Sequence, residues 1–225
     1  MAEILVVDDE RTVREGLKRA LTEEGFAVRT ARSGDEALAK FRERRPDLVL
    51  LDVMMSKRNG FSVCEEIRRE DAVVPVMFLT GLDGAMDEIK GMTVGADDYI
   101  LKTAPKEVLF ARIRRSLERS AVAPQDAAAS MRVGRATIDF TMRMAVFDGG
   151  GSEKLTGCEL DILRALATDR SRYFTNAEIC TLMHGEGYCA DAATLRSQIS
   201  RLTAKLGPSG ELLRGERYLG YRLMP

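Results

Sequence analysis

The feature that most constrains this chain is an alternation. Over its first 120 residues, short apolar β-rich runs recur with an amphipathic helical stretch between each and the next. The runs at 4–7 (ILVV), 48–51 (LVLL), 73–79 (VVPVMFL) and 99–101 (YIL) have no polar alternate. Both of their faces are therefore covered, which is how central strands of a parallel sheet read. The run at 27–31 (AVRTA) is shorter and carries Arg29 and Thr30, which suits an edge strand. Between the runs, Val13, Leu17 and Leu21 repeat every fourth residue, and Ala37 with Phe41 and Ile89 with Met92 continue the helical pattern among charges. Five β/α units in succession imply a doubly wound, flavodoxin-like (βα)5 sheet of the α/β class.

The pattern then changes. Residues 121–130 (AVAPQDAAAS) are small and poor in charge, the composition of a linker, and divide a domain at 1–120 from one at 131–225. Short alternating runs and a Gly149-Gly150-Gly151 turn between 131 and 155 predict a small antiparallel sheet. Two helices open on capping boxes, Thr156 with Glu159 and Thr175 with Glu178, in which the threonine oxygen accepts a free helix N–H and the glutamate reaches back. A third helix is expected over 191–206, ending at Gly207-Pro208, and two short runs, around Leu212 and at 218–223, form a terminal hairpin. Sheet, three helices and hairpin in that order make an α+β winged helix.

Composition removes several alternatives. The apolar runs are four to seven residues long, too short to span a bilayer, so no membrane association is expected. The start, MAE followed at once by a strand, lacks the basic and apolar regions of a signal peptide, and the expected compartment is the cytoplasm. Cys64, Cys158, Cys180 and Cys189 form no CxxC pair, which argues against structural zinc or a disulfide framework. Cys180, His184 and Cys189 are close enough for a three-ligand metal site, with core thiols and a loop histidine the simpler reading. The net charge is −1, and residues 1–120 hold 21 Lys and Arg against 23 Asp and Glu, so bulk charge does not announce a nucleic-acid partner.

Ligands of open parallel sheets bind beyond the carboxyl ends of the strands. Here those ends carry Asp8-Asp9, Asp52, Thr80 and Lys102, which the fold would gather on one rim. Three carboxylates together repel one another unless a cation joins them, and Mg²⁺ is the hard, oxygen-seeking ion that fits. A lysine and a hydroxyl facing it are what a transferred phosphoryl group requires, with Asp52 as the nucleophile forming an aspartyl phosphate. Any one of these aspartates alone is more often a helix cap or a solvated loop residue than a catalyst.

VVDDE at 6–10, LLDVMM at 50–55, FLTG at 78–81 and GADDYILK at 95–102 resemble the motifs of response-regulator receivers across the whole first half. The resemblance implies phosphorylation of Asp52 by a sensor histidine kinase. It also implies Mg²⁺ on Asp8, Asp9, Asp52 and the Met54 carbonyl, phosphoryl contacts from Thr80 and Lys102, and Tyr99 as the aromatic switch. Ser56, Gly81 and Thr103 stand where the family usually has proline, Ala or Ser, and proline. A cis bond costs about 3–4 kcal/mol before threonine against about 0.5–1 before proline, so the 102–103 bond is expected trans and Lys102 less firmly aimed.

From Leu155 onward the chain resembles the OmpR/PhoB class of winged-helix regulators, through LTGCELDILRAL, TLRSQISRLTAKLG and RYLGYRL. Leu195, Ile199, Leu202 and Leu206 form one apolar stripe. The opposite face carries Arg196, Ser197, Ser200, Thr203 and Ala204 with Arg201 on its flank, a narrow polar surface for a major groove. Between 196 and 222 there are six basic residues against two acidic. Arg217 matches the wing arginine that enters the minor groove, but Met183-His184-Gly185 and Tyr218 depart from the class, Tyr218 replacing a glycine.

These features predict a phosphorylation-dependent transcription factor and not an enzyme, with double-stranded promoter DNA, a sensor histidine kinase and RNA polymerase as partners. By the same resemblance it forms a homodimer through the fourth helix, fifth strand and fifth helix of the receiver, where Asp97, Asp98 and Arg112 match the charged face, while Glu88 and Val108 do not. The alternatives are a signalling adaptor with a protein-binding output domain and a DNA binder independent of phosphate.

Overall fold

The apolar runs pair as five parallel strands in a computed structural model that describes residues 1–56, 58–81, 94–121, 130–184 and 192–225. The chain divides into two units, Met1–Ala121 and Val122–Pro225. In the first, β1 (Glu3–Val7), β2 (Ala27–Ala31), β3 (Leu48–Leu51), β4 (Val76–Thr80) and β5 (Asp98–Leu101) lie in the order β2-β1-β3-β4-β5. This is the flavodoxin-like order, and its direction reverses between β1 and β3. Helices α1 (Arg11–Glu23), α2 (Gly34–Glu43), α3 (Gly60–Glu70) and α4 (Lys106–Ala121) accompany the strands. Alternate strand residues point to two separate cores, one holding Leu5, Val7, Val49 and Phe78 and the other Ile4, Val6, Leu50 and Met77. That is why these strands tolerate no polar alternate.

The edge position of β2 agrees with its mixed composition. The apolar run at 99–101 differs from expectation, because β5 is the opposite edge and Leu101 is exposed. Ile89 and Met92, expected on a helix, lie outside the described residues, as does the segment 122–129.

The second unit opens with a four-stranded antiparallel sheet of β6 (Ser130–Val133), β7 (Ala136–Asp139), β8 (Met144–Phe147) and β9 (Ser152–Lys154). Gly150 and Gly151, at φ +85° and +90°, turn the chain from β8 to β9. Helices α5 (Gly157–Ala167), α6 (Asn176–His184) and α7 (Ala192–Leu206) follow. Both capping boxes form: Thr156 Oγ1 accepts from the Glu159 N–H while Glu159 Oε2 accepts from the Thr156 N–H, and Thr175 and Glu178 repeat the exchange.

The apolar stripe of α7 is buried as expected. Leu212 belongs to a short 3-10 turn (Gly207–Leu212) and not to a strand; the hairpin is β10 (Leu213–Glu216) with β11 (Gly220–Leu223), and Tyr218 and Leu219 lie in its turn. Phe174 and Tyr221 exchange backbone hydrogen bonds of 2.8 and 2.9 Å that fasten the hairpin to the segment before α6. Gly220 permits this approach, since a Cβ there would lie 2.0 Å from the Phe174 carbonyl oxygen.

Candidate phosphoacceptor pocket and nucleic-acid interface

Because Val7 and Leu51 are partners in the β1–β3 register, the residues that follow them emerge side by side. Asp8, Asp9 and Asp52 each bring a carboxylate oxygen within 4.8 Å of the others. Asp52 is 3% exposed, and its backbone N–H donates to the Val7 carbonyl at 2.8 Å. Lys102, at the end of β5, reaches across the rim, its Nζ 2.7 Å from Asp8 Oδ2 and 3.0 Å from Asp52 Oδ2. Burial, with the Asp8 charge adding to it, pushes the Asp52 carboxyl up, and Lys102 only partly offsets this. Burial also opposes the charge of Lys102, but Asp8 and Asp52 outweigh it and raise the ammonium pKa. The donor set suits a hard divalent cation: three clustered carboxylates with one neighbouring ammonium leave negative charge uncompensated.

The 102–103 peptide is trans, as expected. Lys102 reaches both carboxylates without the proline.

Backbone donors finish the pocket. The Met54 N–H donates to Asp52 Oδ1, that of Glu10 to Asp8 Oδ1 and that of Ser56 to Asp9 Oδ2. Tyr99 is buried with its ring edge-on to Phe78, centroids 6.5 Å apart; Thr80 ends β4, but its side chain lies outside the described residues.

Two residues not singled out from the sequence support the site. A Cβ on Gly60 would lie 2.2 Å from the Asp52 carbonyl oxygen, so only glycine lets α3 start against the loop that carries Asp52. Arg14 Nη1 donates to the Asp8 carbonyl at 2.7 Å. The glycine stood eight residues after Asp52 as a signal; the arginine had no readable one.

The dimer residues need correction. Asp97 is 6% exposed and turned inward, its carboxylate accepting from Arg68 Nη2 at 2.6 Å and from the Val76 N–H at 3.0 Å. Asp98 is buried as well, its Oδ1 accepting from Arg112 of the same chain at 3.0 Å. Leu101 and Val108 are the large apolar side chains exposed on β5 and α4 among the described residues. Glu88 lies outside them.

On α7, Arg196 and Ser200 are exposed and Ser197 half-buried. Thr203 is half-buried too, with its hydroxyl donating to the Ile199 carbonyl at 2.8 Å. Arg201 turns away from this face. Its Nε is 2.8 Å from Glu159 Oε1, its side chain is only 16% exposed, and Lys205 takes the other Glu159 oxygen at 2.8 Å. Arg201 thus anchors α7 to α5, a correction to its assignment as a DNA contact. Arg217 is exposed beside Tyr218, and together with Thr175, Asn176, Arg196 and Tyr221 they line a cleft of about 880 Å³. Cys180 is buried in the core, whereas Cys189 and the His184 side chain lie outside the described residues. No described helix is long and apolar enough to cross a membrane.

Residues 4–114 match the profile of the response regulator receiver domain, and 150–223 that of the transcriptional regulatory protein C-terminal domain. Transcriptional regulatory protein AfsQ1 of Streptomyces coelicolor is 36% identical over 100% of this chain and 99% of its own. Response regulator MprA of Mycobacterium bovis is 36% identical over 98% of this chain and 96% of its own. The crystal structure of the BeF3-activated receiver domain of Klebsiella pneumoniae RstA, 36% identical, covers 51% of this chain and 97% of its own at a TM-score of 0.50. A RitR mutant structure covers 100% of this chain and 99% of its own at a TM-score of 0.75 and 22% identity, a likeness in fold.

Proposed function

Starting from a chain that belongs to the OmpR/PhoB-type response regulators, we propose that Asp52 is the phosphoacceptor through which this transcription regulator is switched. The protein is a phosphorylation-dependent, DNA-binding transcription regulator of a two-component system, in a family of regulators that are not enzymes. The observation that carries the site assignment is the convergence of Asp8, Asp9, Asp52 and Lys102 at the strand ends.

Asp52 presents a carboxylate oxygen to the phosphorus of a kinase phosphohistidine; as the O–P bond forms, the P–N bond of the donor breaks. Asp8, Asp9, Asp52 and the Met54 carbonyl would hold Mg²⁺, which when bound supplies neutralisation of phosphoryl charge. Lys102 already sits against Asp52, where it meets an oxygen of the added group. Thr80, at the end of the neighbouring strand, is the second phosphoryl contact in this reading, and Tyr99 carries the change to the face of β5 and α4. Leu101 and Val108 support a homodimer there. On DNA, Arg196, Ser197, Ser200 and Thr203 face the major groove and Arg217 the minor groove, with RNA polymerase as a further partner of the assembled dimer.

Acetyl phosphate with Mg²⁺ should add one phosphate to the protein and none to Asp52→Asn, as read by intact mass. Retention on duplex DNA should fall steeply with salt. Equal labelling of the Asn variant would remove Asp52 as the site, and salt-insensitive or absent retention would favour a protein-binding output domain.

A further inference from the structure

Tyr218 sits at the tip of the wing at φ +68°, in the left-handed region where glycine is the unstrained residue. The fold gains little from its ring. Tyr218 is 88% exposed and Leu219 52%, and neither packs on the core of the C-terminal unit. The turn closes through the Leu219 N–H and the Glu216 carbonyl at 3.2 Å, a backbone bond that asks nothing of the tyrosine side chain. What the ring does touch is Arg217, whose guanidinium carbon lies 4.9 Å from the ring centroid. This stacked pair borders the same cleft as Arg196 at the start of α7 and Asn176 at the start of α6. The Phe174–Tyr221 backbone pair holds the base of the hairpin, so the stack has a fixed place beside the recognition helix.

We propose that Tyr218 is a DNA-contacting, specificity-determining residue: the Arg217–Tyr218 stack enters the minor groove flanking the site read by α7 and selects flanks whose groove opens readily. The inference rests on the DNA-binding reading above and extends it. An exposed aromatic ring among cationic side chains suits nucleic acid, the ring packing on sugar and base while the cations meet phosphate.

Thickness then sets the preference. A lone arginine fits the narrow minor groove of an A-tract, where the negative potential is strongest. The guanidinium and the ring, in contact with 4.9 Å from the guanidinium carbon to the ring centroid, are bulkier together than a lone guanidinium, against a groove about 6 Å wide. The stack therefore needs a widened groove, which flexible TA and CA/TG steps yield most readily. Flank preference in this chain runs opposite to that of an arginine wing.

The test uses the full-length phosphorylated protein and the duplex it recovers from a random-sequence library, rebuilt with either an A-tract or TA steps in the wing-facing flank. Wild type should bind the TA-flanked duplex more tightly. Tyr218→Gly, which accepts the backbone conformation and should keep or raise the melting temperature, should lose about 5-fold on that duplex, the lower end of what a ring contributes on single strands, because a paired flank offers it less base face. It should lose little on the A-tract duplex, reversing the preference, while Tyr218→Phe keeps most of the wild-type pattern.

Wild-type preference for the A-tract, or a Tyr218→Gly variant indistinguishable from wild type on both duplexes, overturns the proposal and leaves the DNA-binding reading standing. A Tyr218→Gly variant with altered oligomeric mass but unaltered DNA binding also overturns it, by assigning the ring to a protein contact. Failure of wild type to recover any duplex is a separate result, seen before any variant is made, and removes both readings.

Discussion

Replacing Glu159 with glutamine should destabilise the C-terminal unit by about 3 kcal/mol. Glu159 is fully buried, and its two carboxylate oxygens accept from the Thr156 N–H, Arg201 and Lys205, each at 2.8 Å. At an effective dielectric constant near 20, a charge pair about 4 Å apart attracts by about 4 kcal/mol, and desolvation of each ion takes back several. The pairs are thus nearly balanced when made and costly when broken. Glutamine keeps the shape and one acceptor oxygen but leaves two cations, with side chains 16% and 24% exposed, around a neutral amide. Breaking a buried pair from one side costs about 3–5 kcal/mol, and the retained acceptor puts this variant at the lower end.

At roughly 4–8 °C per kcal/mol for a unit of this size, its melting transition should fall by roughly 12–24 °C. Calorimetry of the whole chain supplies the receiver transition as an internal reference. Burial pushes the Glu159 carboxyl up, but Arg201 and Lys205 outweigh it and hold it below the ordinary glutamate range. The stabilisation is therefore complete above that range and lost as pH falls through the lowered pKa, so the gap between wild type and variant should close in acid. A C-terminal transition within about 2 °C of wild type at neutral pH would refute the reasoning.

Three further outcomes follow from the receiver. Asp97→Asn removes the charge facing the half-buried Arg68 and should cost about 3 kcal/mol of receiver stability in urea titration; no loss would return Asp97 to the dimer face. Gly60→Ala should slow acetyl phosphate labelling of Asp52, because its Cβ displaces the Asp52 carbonyl; wild-type rates would show that the loop gives way freely. Burial and Asp8 raise the Asp52 pKa, so its stabilising contribution is present below the ordinary aspartate value and lost as pH rises through the folded one. In metal-free buffer at neutral pH, Asp52→Asn should therefore have a higher urea midpoint than wild type, and a lower midpoint would contradict the direction of the shift.

The receiver pocket was legible because its residues follow directly on strands that periodicity identifies. In a parallel sheet the ends of neighbouring strands share a rim, so Asp8, Asp52 and Lys102 meet whatever the loops between them do. Parity at the start of a strand was not legible in the same way. Asp97 and Asp98 are adjacent acids before an apolar run, and partners distant in sequence, Arg68 on a helix 29 residues earlier and the Val76 N–H, hold Asp97 inward. The edge position of β5 was hidden for a related reason. Tyr99 and Ile100 are buried against the two faces of the sheet, so the run reads as central although no strand pairs with its far side among the described residues.

The winged-helix surface shows where a helical wheel stops deciding. The stripe Leu195, Ile199, Leu202 and Leu206 leaves Arg196 outward without ambiguity, but Arg201 falls on the flank, where either side is open to a long side chain. Its direction is set by Glu159, which lies 42 residues earlier. The sequence announces that glutamate only as half of a capping box, and the box is a local exchange with Thr156 that holds whether or not anything else is present. One oxygen satisfies that box and the other remains for Arg201, so the residue that starts α5 also fixes α7. Arg201→Ala should accordingly weaken DNA binding through loss of the C-terminal fold, whereas Arg196→Ala should weaken it with the melting temperature unchanged. An Arg201→Ala variant of wild-type stability and reduced affinity would return that side chain to the DNA face.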